Sequence, residues 1–332
     1  GTITVSGAIG TDIATLSLQE NAGGATGAVS LQGDVTAATL TTFAQGYNVS
    51  LTGASNAITN DTTFLNTGTI AIGDGSGDTS TFAGGLDTTA GGTENLAGTI
   101  QTQGAQMDIG VVTLAAATTL KTDGNSATGD ANINIGAVGV TANDHLTITS
   151  TGTVDFGGTV NLGTGNLNVS FDTETEGTET LVVDQTITAN AIYFTGSGGA
   201  ANDTLDVDQN LAAGTSLTIE NLQTVAIAQD VDLSAANGDL SANTNIGAIS
   251  LDGTAGENEI KTTGGTGDVT LGAIGNASTP SDLIVSTAAA TTSGDITLSG
   301  AVTDVGYVTV NAGSSGNTGD VIINADITAG EY

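Results

Sequence analysis

The feature that most constrains the fold is a short strand-like segment that returns along the chain. Near the C-terminus, Gly-Asp-Val-Thr-Leu at 267–271 recurs as Gly-Asp-Ile-Thr-Leu at 294–298 and as Gly-Asp-Val-Ile-Ile at 319–323. Apolar segments at 283–285 and 307–310 lie between these copies, so strand anchors follow one another at short and nearly even intervals. Looser copies lie at 27–31, 68–72 and 247–251. Such self-similarity is typical of repeat architectures, in which each repeat packs mainly against its neighbours.

Within the segments, aliphatic residues alternate with Thr, Asn or Asp. Ile133 and Ile135 flank Asn134, and Leu205 is followed at the second position by Val207. A period of two places aliphatic side chains on one face of a β-strand and polar side chains on the other. No window sustains apolar residues at three- and four-residue spacing, which would indicate a helix. The sequence therefore predicts an all-β protein.

Composition separates a β-solenoid from tandem β-sandwiches, the alternative with short, evenly spaced strands. Aromatic residues make up only 3% of the chain, whereas thick sandwich cores usually depend on them. The hydrophobic fraction of 38% still provides a thin core, which argues against disorder despite 50 glycines. We therefore predict an elongated rod, a single continuous β-solenoid over residues 1–332 with about 20 to 25 residues per coil. Strand-like sequence at both ends leads us to expect an excerpt or processed part of a longer protein.

The charge of the chain excludes several classes of partner. The formal net charge is -33, from 35 acidic residues against two lysines, Lys121 and Lys261. Such a chain repels nucleic acid and anionic membrane surfaces, and no apolar run is long enough for a membrane helix. Cysteine is absent, so the sequence offers neither disulfides nor thiolate metal sites. The scarcity of residues that proteases cut or oxidants attack leads us to expect an extracellular location.

Four segments share a repeat pattern rich in Gly, Thr and aliphatic residues: Phe-Leu-Asn-Thr-Gly-Thr-Ile-Ala-Ile-Gly-Asp at 64–74, Thr-Phe-Ala-Gly-Gly-Leu at 81–86, Leu-Ala-Gly-Thr-Ile at 96–100 and the stretch 146–158. They resemble the repeats of filamentous-haemagglutinin-like giant bacterial surface proteins. The resemblance covers essentially the whole chain. It implies a right-handed parallel β-helix, secretion, and exposure on the bacterial cell surface as an adhesin shaft or surface fibre.

Catalysis is not expected from the residue types present. Polysaccharide lyases of this shape need Lys or Arg to neutralise a carboxylate substrate, and the chain has two isolated lysines and no arginine. A glycan hydrolase could operate with paired carboxylates alone. The densest acidic run is Asp172, Glu174, Glu176 and Glu179. We interpret this run as a solvated acidic turn and predict no catalytic residue and no organic cofactor.

Calcium is the one cofactor that the sequence suggests. The segment from Gly198 to Leu205 resembles a single unit of the Gly-rich nonapeptide that binds calcium between β-roll turns. A second cluster, Gly-Asp-Gly-Ser-Gly-Asp at 73–78, combines two carboxylates with flexible backbone, and calcium prefers oxygen ligands of this kind. The candidate ligands are Asp203, Asp206, Asp208, Asp74 and Asp78.

The sequence thus predicts an extracellular structural protein, the shaft of a bacterial surface fibre or giant adhesin that either holds an adhesive tip away from the cell or polymerises into a filament of a biofilm matrix. A calcium-dependent binding or matrix module is the alternative, and an acidic glycan hydrolase comes third. The expected partners are copies of the same chain or flanking repeats. Contacts with cell-surface glycans, or with host or abiotic surfaces, are expected only through regions outside this sequence. Nucleic acid and membrane insertion are excluded.

Overall fold

The protein is described by a computed structural model that covers ten stretches of the chain. These are residues 1–18, 26–122, 130–171, 179–197, 203–252, 256–264, 266–275, 282–287, 294–314 and 317–329. Every regular element in these stretches is a β-strand, and the strands form parallel stacked coils of a β-solenoid with about 12 turns. The prediction of an all-β parallel solenoid is confirmed. Within the described residues there is no helix long and apolar enough to span a membrane.

The chain divides into two compact units, and the first comprises Gly1–Gly165. Its strands are β1 Thr2–Val5, β2 Ile9–Ser17, β3 Ala28–Leu31, β4 Val35–Thr41, β5 Asn48–Leu51, β6 Ser55–Ile58, β7 Thr62–Thr63, β8 Ile70–Ile72, β9 Thr79–Phe82, β10 Leu86–Asp87, β11 Glu94–Gln101, β12 Met107–Ile109, β13 Val112–Lys121, β14 Ile133–Ile135, β15 Val138–Val140, β16 Leu146–Ser150, β17 Val154–Phe156 and β18 Val160–Asn161.

The second unit comprises Asn166–Tyr332. Its strands are β19 Leu167–Phe171, β20 Thr180–Val183, β21 Ile187–Thr195, β22 Thr204–Val207, β23 Leu211–Glu220, β24 Thr224–Ala228, β25 Asp232–Ala235, β26 Leu240–Thr244, β27 Ala248–Asp252, β28 Glu257–Thr262, β29 Val269–Leu271, β30 Asp282–Ser286, β31 Ile296–Leu298, β32 Val302–Val305, β33 Val308–Asn311, β34 Gly313–Ser314, β35 Asn317–Thr318, β36 Val321–Ile323 and β37 Ile327–Ala329. The short pair β34 and β35 is antiparallel.

Some coils of the first unit consist of three strands joined by tight corners, whereas in others one long strand takes two of these places, as β11 does by pairing with both β8 and β9. Strands β5, β6 and β7 form one coil of three strands, and each pairs in parallel with the corresponding strand of the next coil, β8, β9 or β10. Ladder hydrogen bonds therefore run between coils rather than within them. As a result, the backbone groups of each coil are satisfied mainly by its neighbours.

Register explains the spacing of the repeats in the second unit. Val269 aligns with Ile296, and Ile296 aligns with Val321, whereas Leu283 aligns with Val308 in a different column. The interval between successive Gly-Asp copies is therefore one coil, and the shorter interval between strand anchors separates two strands of the same coil.

The length of a coil varies more widely than the sequence led us to expect. Residues that pair in register on neighbouring coils lie as close in the sequence as Glu94 and Val112, and as far apart as Leu240 and Val269. The corners between strands absorb part of this variation, and some paired strands absorb the rest through a register shift, as β11 and β13 do between Leu96 and Gly98. Insertions at corners are therefore compatible with continuous ladders.

The core is a thin stack of Val, Ile and Leu side chains that also contains a few aromatic side chains. Alternation along the strands decides which side chains enter it, as at Leu205 and Val207, which are both fully buried. The rings of Phe64 and Phe82 are also fully buried and meet edge to face, with centroids 6.3 Å apart and planes at 74°. This geometry is one of the favoured arrangements of aromatic pairs.

Candidate functional site

Four aspartates at one corner of the second unit form a continuous row of side chain to backbone hydrogen bonds. Asp239 Oδ1 accepts from the backbone N–H of Asp268 at 3.0 Å, and Asp268 Oδ1 accepts from the N–H of Asp295 at 2.8 Å. Asp295 Oδ1 in turn accepts from the N–H of Asp320 at 2.8 Å. We call Asp239, Asp268, Asp295 and Asp320 the aspartate ladder. Its hydrogen bonds tie each coil to the backbone of the next.

The glycine before each aspartate permits this close stacking. A Cβ atom on Gly267 would lie 2.1 Å from the carbonyl oxygen of Gly238. On Gly294 and Gly319 the corresponding distance, to the carbonyl oxygen of the glycine one coil earlier, would be 2.0 Å. Only a residue without a side chain fits so near a neighbouring backbone. Both residues of the recurring Gly-Asp pair therefore serve the joining of coils.

We expect Asp268→Ala to lower the free energy of unfolding by about 1 to 2 kcal/mol, because the N–H of Asp295 loses its charged acceptor. Asp268→Asn is the matched control, since its side-chain oxygen can still accept this bond while one of the stacked negative charges is removed. That variant should be as stable as the parent chain or more so. Urea unfolding followed by circular dichroism measures both effects. Equal losses in the two variants would show that the charge, and not the acceptor, stabilises the ladder.

A shallow acidic cleft of about 300 Å³ lies on the outer surface of the first unit. Asp61, Asp87 and Asp108 line it, and Asp87 is in register with Asp108 on neighbouring strands. Gln106 Nε2 donates to both carboxylate oxygens of Asp108 at 2.9 Å, and Thr89 donates to Asp87 Oδ1 through its backbone N–H and its hydroxyl at 2.9 and 2.7 Å. In the described part of the chain, no three His, Cys, Asp or Glu side chains are grouped so as to hold a metal ion.

The structure places the three calcium candidates near residue 205 in different surroundings along one strand. Asp203 is buried, and its Oδ2 accepts from the backbone N–H and the hydroxyl of Ser197 at 2.6 and 2.8 Å. Its Oδ1 has no hydrogen-bond partner among the described residues. Asp206 lies on the outer face of the strand, and Asp208 is exposed just beyond it. Alternation along the strand thus separates Asp203 from Asp206, and calcium binding at this position stays a prediction.

The other calcium candidates, Asp74 and Asp78, belong to one turn. Asp78 Oδ2 accepts from the backbone N–H groups of Asp74 and Gly75, both at 2.9 Å. These hydrogen bonds, with that from Asp74 the strongest influence, hold the pKa of Asp78 below its ordinary value. Asp74 is exposed. One carboxylate therefore closes the turn and the other faces solvent, and a calcium ion at this turn also stays a prediction.

Part of the acidic run considered for hydrolysis can be placed. Glu179 is buried, with only 2% of its surface exposed, and its backbone carbonyl accepts from the N–H of Thr204 in the next coil. Asp172, Glu174 and Glu176 lie outside the described residues. The interpretation of the run as a solvated turn therefore does not extend to Glu179, whose side chain is inside the coil.

Sequence reasoning missed one ionisable side chain in the interior, Glu94. It is 0% exposed, and its Oε1 accepts from the backbone N–H of Gly110 at 2.7 Å. Burial raises the pKa of Glu94 to about 7, and the charge of Asp87 adds to this, although the nearby Thr88 hydroxyl and the hydrogen bond from Gly110 act in the opposite direction. The alternation Glu94-Asn95-Leu96, with Leu96 inward, is the sequence signal that marks Glu94 as inward too.

Comparisons with protein-family models, curated proteins and solved structures give no significant match for this chain. The arguments about function therefore depend on the geometry described above and on the types of residue that the coils present.

Proposed function

We propose that this chain is an extracellular structural protein, the shaft of a bacterial surface fibre or giant adhesin of the filamentous-haemagglutinin-like kind. The observation that carries the proposal is the aspartate ladder, in which side chains that could act on a ligand are used to join coils. In this proposal the chain has no catalytic role, and its task is to extend and to bear load.

The same use of polar side chains at other corners supports the proposal. Asn48 Oδ1 accepts from the backbone N–H of Thr69 at 2.9 Å, and Asn132 Oδ1 accepts from the N–H of Thr153 at the same distance. Further bonds of this type connect Asp34 with Ser55, Asn210 with Asp232, and Asp282 with Tyr307. Each joins a side chain to the backbone of the next coil. Stacking of this type makes stability a sum of local contacts between neighbours.

Exposed apolar side chains on the outermost described coils support self-association. In the first unit, Ile3 on β1 is 55% exposed although it occupies an inward position aligned with Val29. In the second unit, Val321 and Ile323 on β36 are each 46% exposed. Uncovered strands with apolar faces favour the addition of further strands. We propose that coils of another copy, or of flanking repeats, cover these faces.

This proposal is tested by the association of the chain in solution. We expect filaments or oligomers that strengthen with salt or calcium, because cations screen the charge of -33. Ile3→Lys should weaken association at least about tenfold, because a charge would be buried against an apolar partner. Val111→Lys is the matched control, since Val111 is 52% exposed but lies away from the first coil. Analytical ultracentrifugation and electron microscopy provide the measurements.

Two outcomes would contradict the proposal. One is a chain that stays monomeric at every salt and calcium concentration, and the other is an equal effect of Ile3→Lys and Val111→Lys. A response to calcium that is absent with sodium at equal ionic strength would favour the alternative, a calcium-dependent matrix module.

A further inference from the structure

One inward column of the first unit is aliphatic in every coil except one. Pairing in register aligns a single position from six successive coils. The residues in order are Val49, Ile70, Glu94, Val112, Val138 and Val160. All six are buried, and Glu94 lies between Ile70 and Val112 with 0% of its surface exposed. A valine or isoleucine would fill such a position without the cost of burying a carboxyl group. The interruption of the column at this one coil therefore requires an explanation.

The surroundings of Glu94 fit a neutral carboxyl group better than a carboxylate. Oε1 accepts from the backbone N–H of Gly110 at 2.7 Å, and Oε2 has no hydrogen-bond partner among the described residues. Gly110 leaves the space that the carboxyl fills, because a Cβ atom there would lie 2.6 Å from Oε1. The aligned strands β8 and β13 contribute aliphatic side chains, and the Thr88 hydroxyl borders the carboxyl. The charged group that acts on Glu94 is Asp87, which is negative. An ionised Glu94 would therefore be buried without a cation.

We propose that Glu94 acts as a pH-sensitive lock on its coil. The coil stays closed around the protonated carboxyl group and opens locally at the Gly110 contact when Glu94 ionises. The proposal does not depend on the fibre role, since it concerns the stability of one coil in the isolated chain.

The direction of the pH effect follows from linkage between protonation and opening. Burial raises the pKa of Glu94 from 4.5 to about 7. Below pH 4.5 the closed and open states both hold the proton, and the full stability of the coil is present. As the pH rises towards 7, only the open state releases the proton, so stability falls, and above pH 7 the loss is complete. The difference in pKa corresponds to at most about 300-fold in the closing equilibrium.

Hydrogen exchange at the amides of Gly110 and Glu94 tests the lock in the full chain. After correction for intrinsic exchange rates, we expect the protection of both amides to fall about 30-fold between about pH 5.5 and 8.5, the part of the linkage that this window covers. In Glu94→Gln this fall should disappear, because the amide side chain does not titrate. The variant also retains every other acidic residue of the 35, so the comparison cancels their general effect on stability.

Two further measurements keep the proposal falsifiable. Glu257→Gln removes an exposed carboxylate and should leave the pH dependence of the two amides unchanged. Carbon-13 NMR of the Glu94 carboxyl in the unsubstituted chain should show a midpoint near 7. A midpoint near 4.5 would overturn the proposal even if Glu94→Gln failed to fold. An equal fall in protection in the parent chain and in Glu94→Gln would overturn it as well.

Discussion

We expect the replacement of Gly294 by alanine to lower the free energy of unfolding of the second unit by about 3 kcal/mol, the upper range for forcing an extra group into a packed interior. The added Cβ atom would lie 2.0 Å from the carbonyl oxygen of Gly267 and 2.8 Å from Asp268 Oδ1. Both contacts involve the corner that carries the aspartate ladder, so relief of the clash requires the two coils to separate. Urea unfolding followed by circular dichroism gives the loss of stability.

Gly214→Ala is the control for this expectation, because the nearest atom to its Cβ would be 3.5 Å away, an ordinary contact distance. Alanine also restricts the unfolded chain, which by itself stabilises a protein by about 0.4 to 1 kcal/mol. We therefore expect Gly214→Ala to be neutral or stabilising. If Gly294→Ala were equally harmless, the close stacking of the Gly-Asp corners would not be a requirement of the fold.

Truncation of Phe82 to alanine should destabilise the first unit by about 3 to 5 kcal/mol, the usual cost of removing a buried ring. Phe82 is 0% exposed, and the thin core offers few other large side chains that could move into the space. The loss includes the contact with Phe64, whose ring centroid lies 6.3 Å away. Unfolding in urea, monitored by circular dichroism, measures the change.

Leu65→Ala serves as the surface control, since Leu65 is adjacent to Phe64 in sequence but 45% exposed. The loss of stability in Leu65→Ala should be well below that in Phe82→Ala. A double-mutant cycle with Phe64→Ala isolates the contact between the two rings, for which we expect a coupling of about 0.5 to 1.5 kcal/mol. A coupling of zero would mean that the edge-to-face geometry adds nothing to simple burial.

The fold could be predicted well because the strongest signals in the sequence are local. The alternation of apolar and polar residues at Leu205 and Val207 indicates the inward face of this strand without information from distant parts of the chain. The recurrence of Gly-Asp before Val269 and Ile296 marks equivalent corners, and both properties are visible without knowledge of the pairing. The number of strands per coil could not be predicted, because coils differ in length and only long-range pairing decides which strands align.

The candidate sites were harder to predict for the same reason. Asp203 and Asp206 are close in sequence and were predicted to bind calcium together, but they lie on the inner and the outer face of the coil, respectively. Glu94 is one of 35 acidic residues in the sequence, and only the register between paired strands shows that it interrupts an aliphatic column. Contacts that join residues about one coil apart are not visible from neighbouring positions in the sequence.

The aspartate ladder also limits how genes for such chains can grow or shrink. The carboxylates of Asp239, Asp268 and Asp295 each accept a hydrogen bond from the residue at the same corner of the following coil, 25 to 29 positions later. Inserting or deleting one whole winding would preserve every such bond outside the junction, whereas the loss of one residue within a strand would turn its apolar side chains outwards. Duplication in units of a complete winding is therefore the mode of evolutionary length change that this architecture tolerates best.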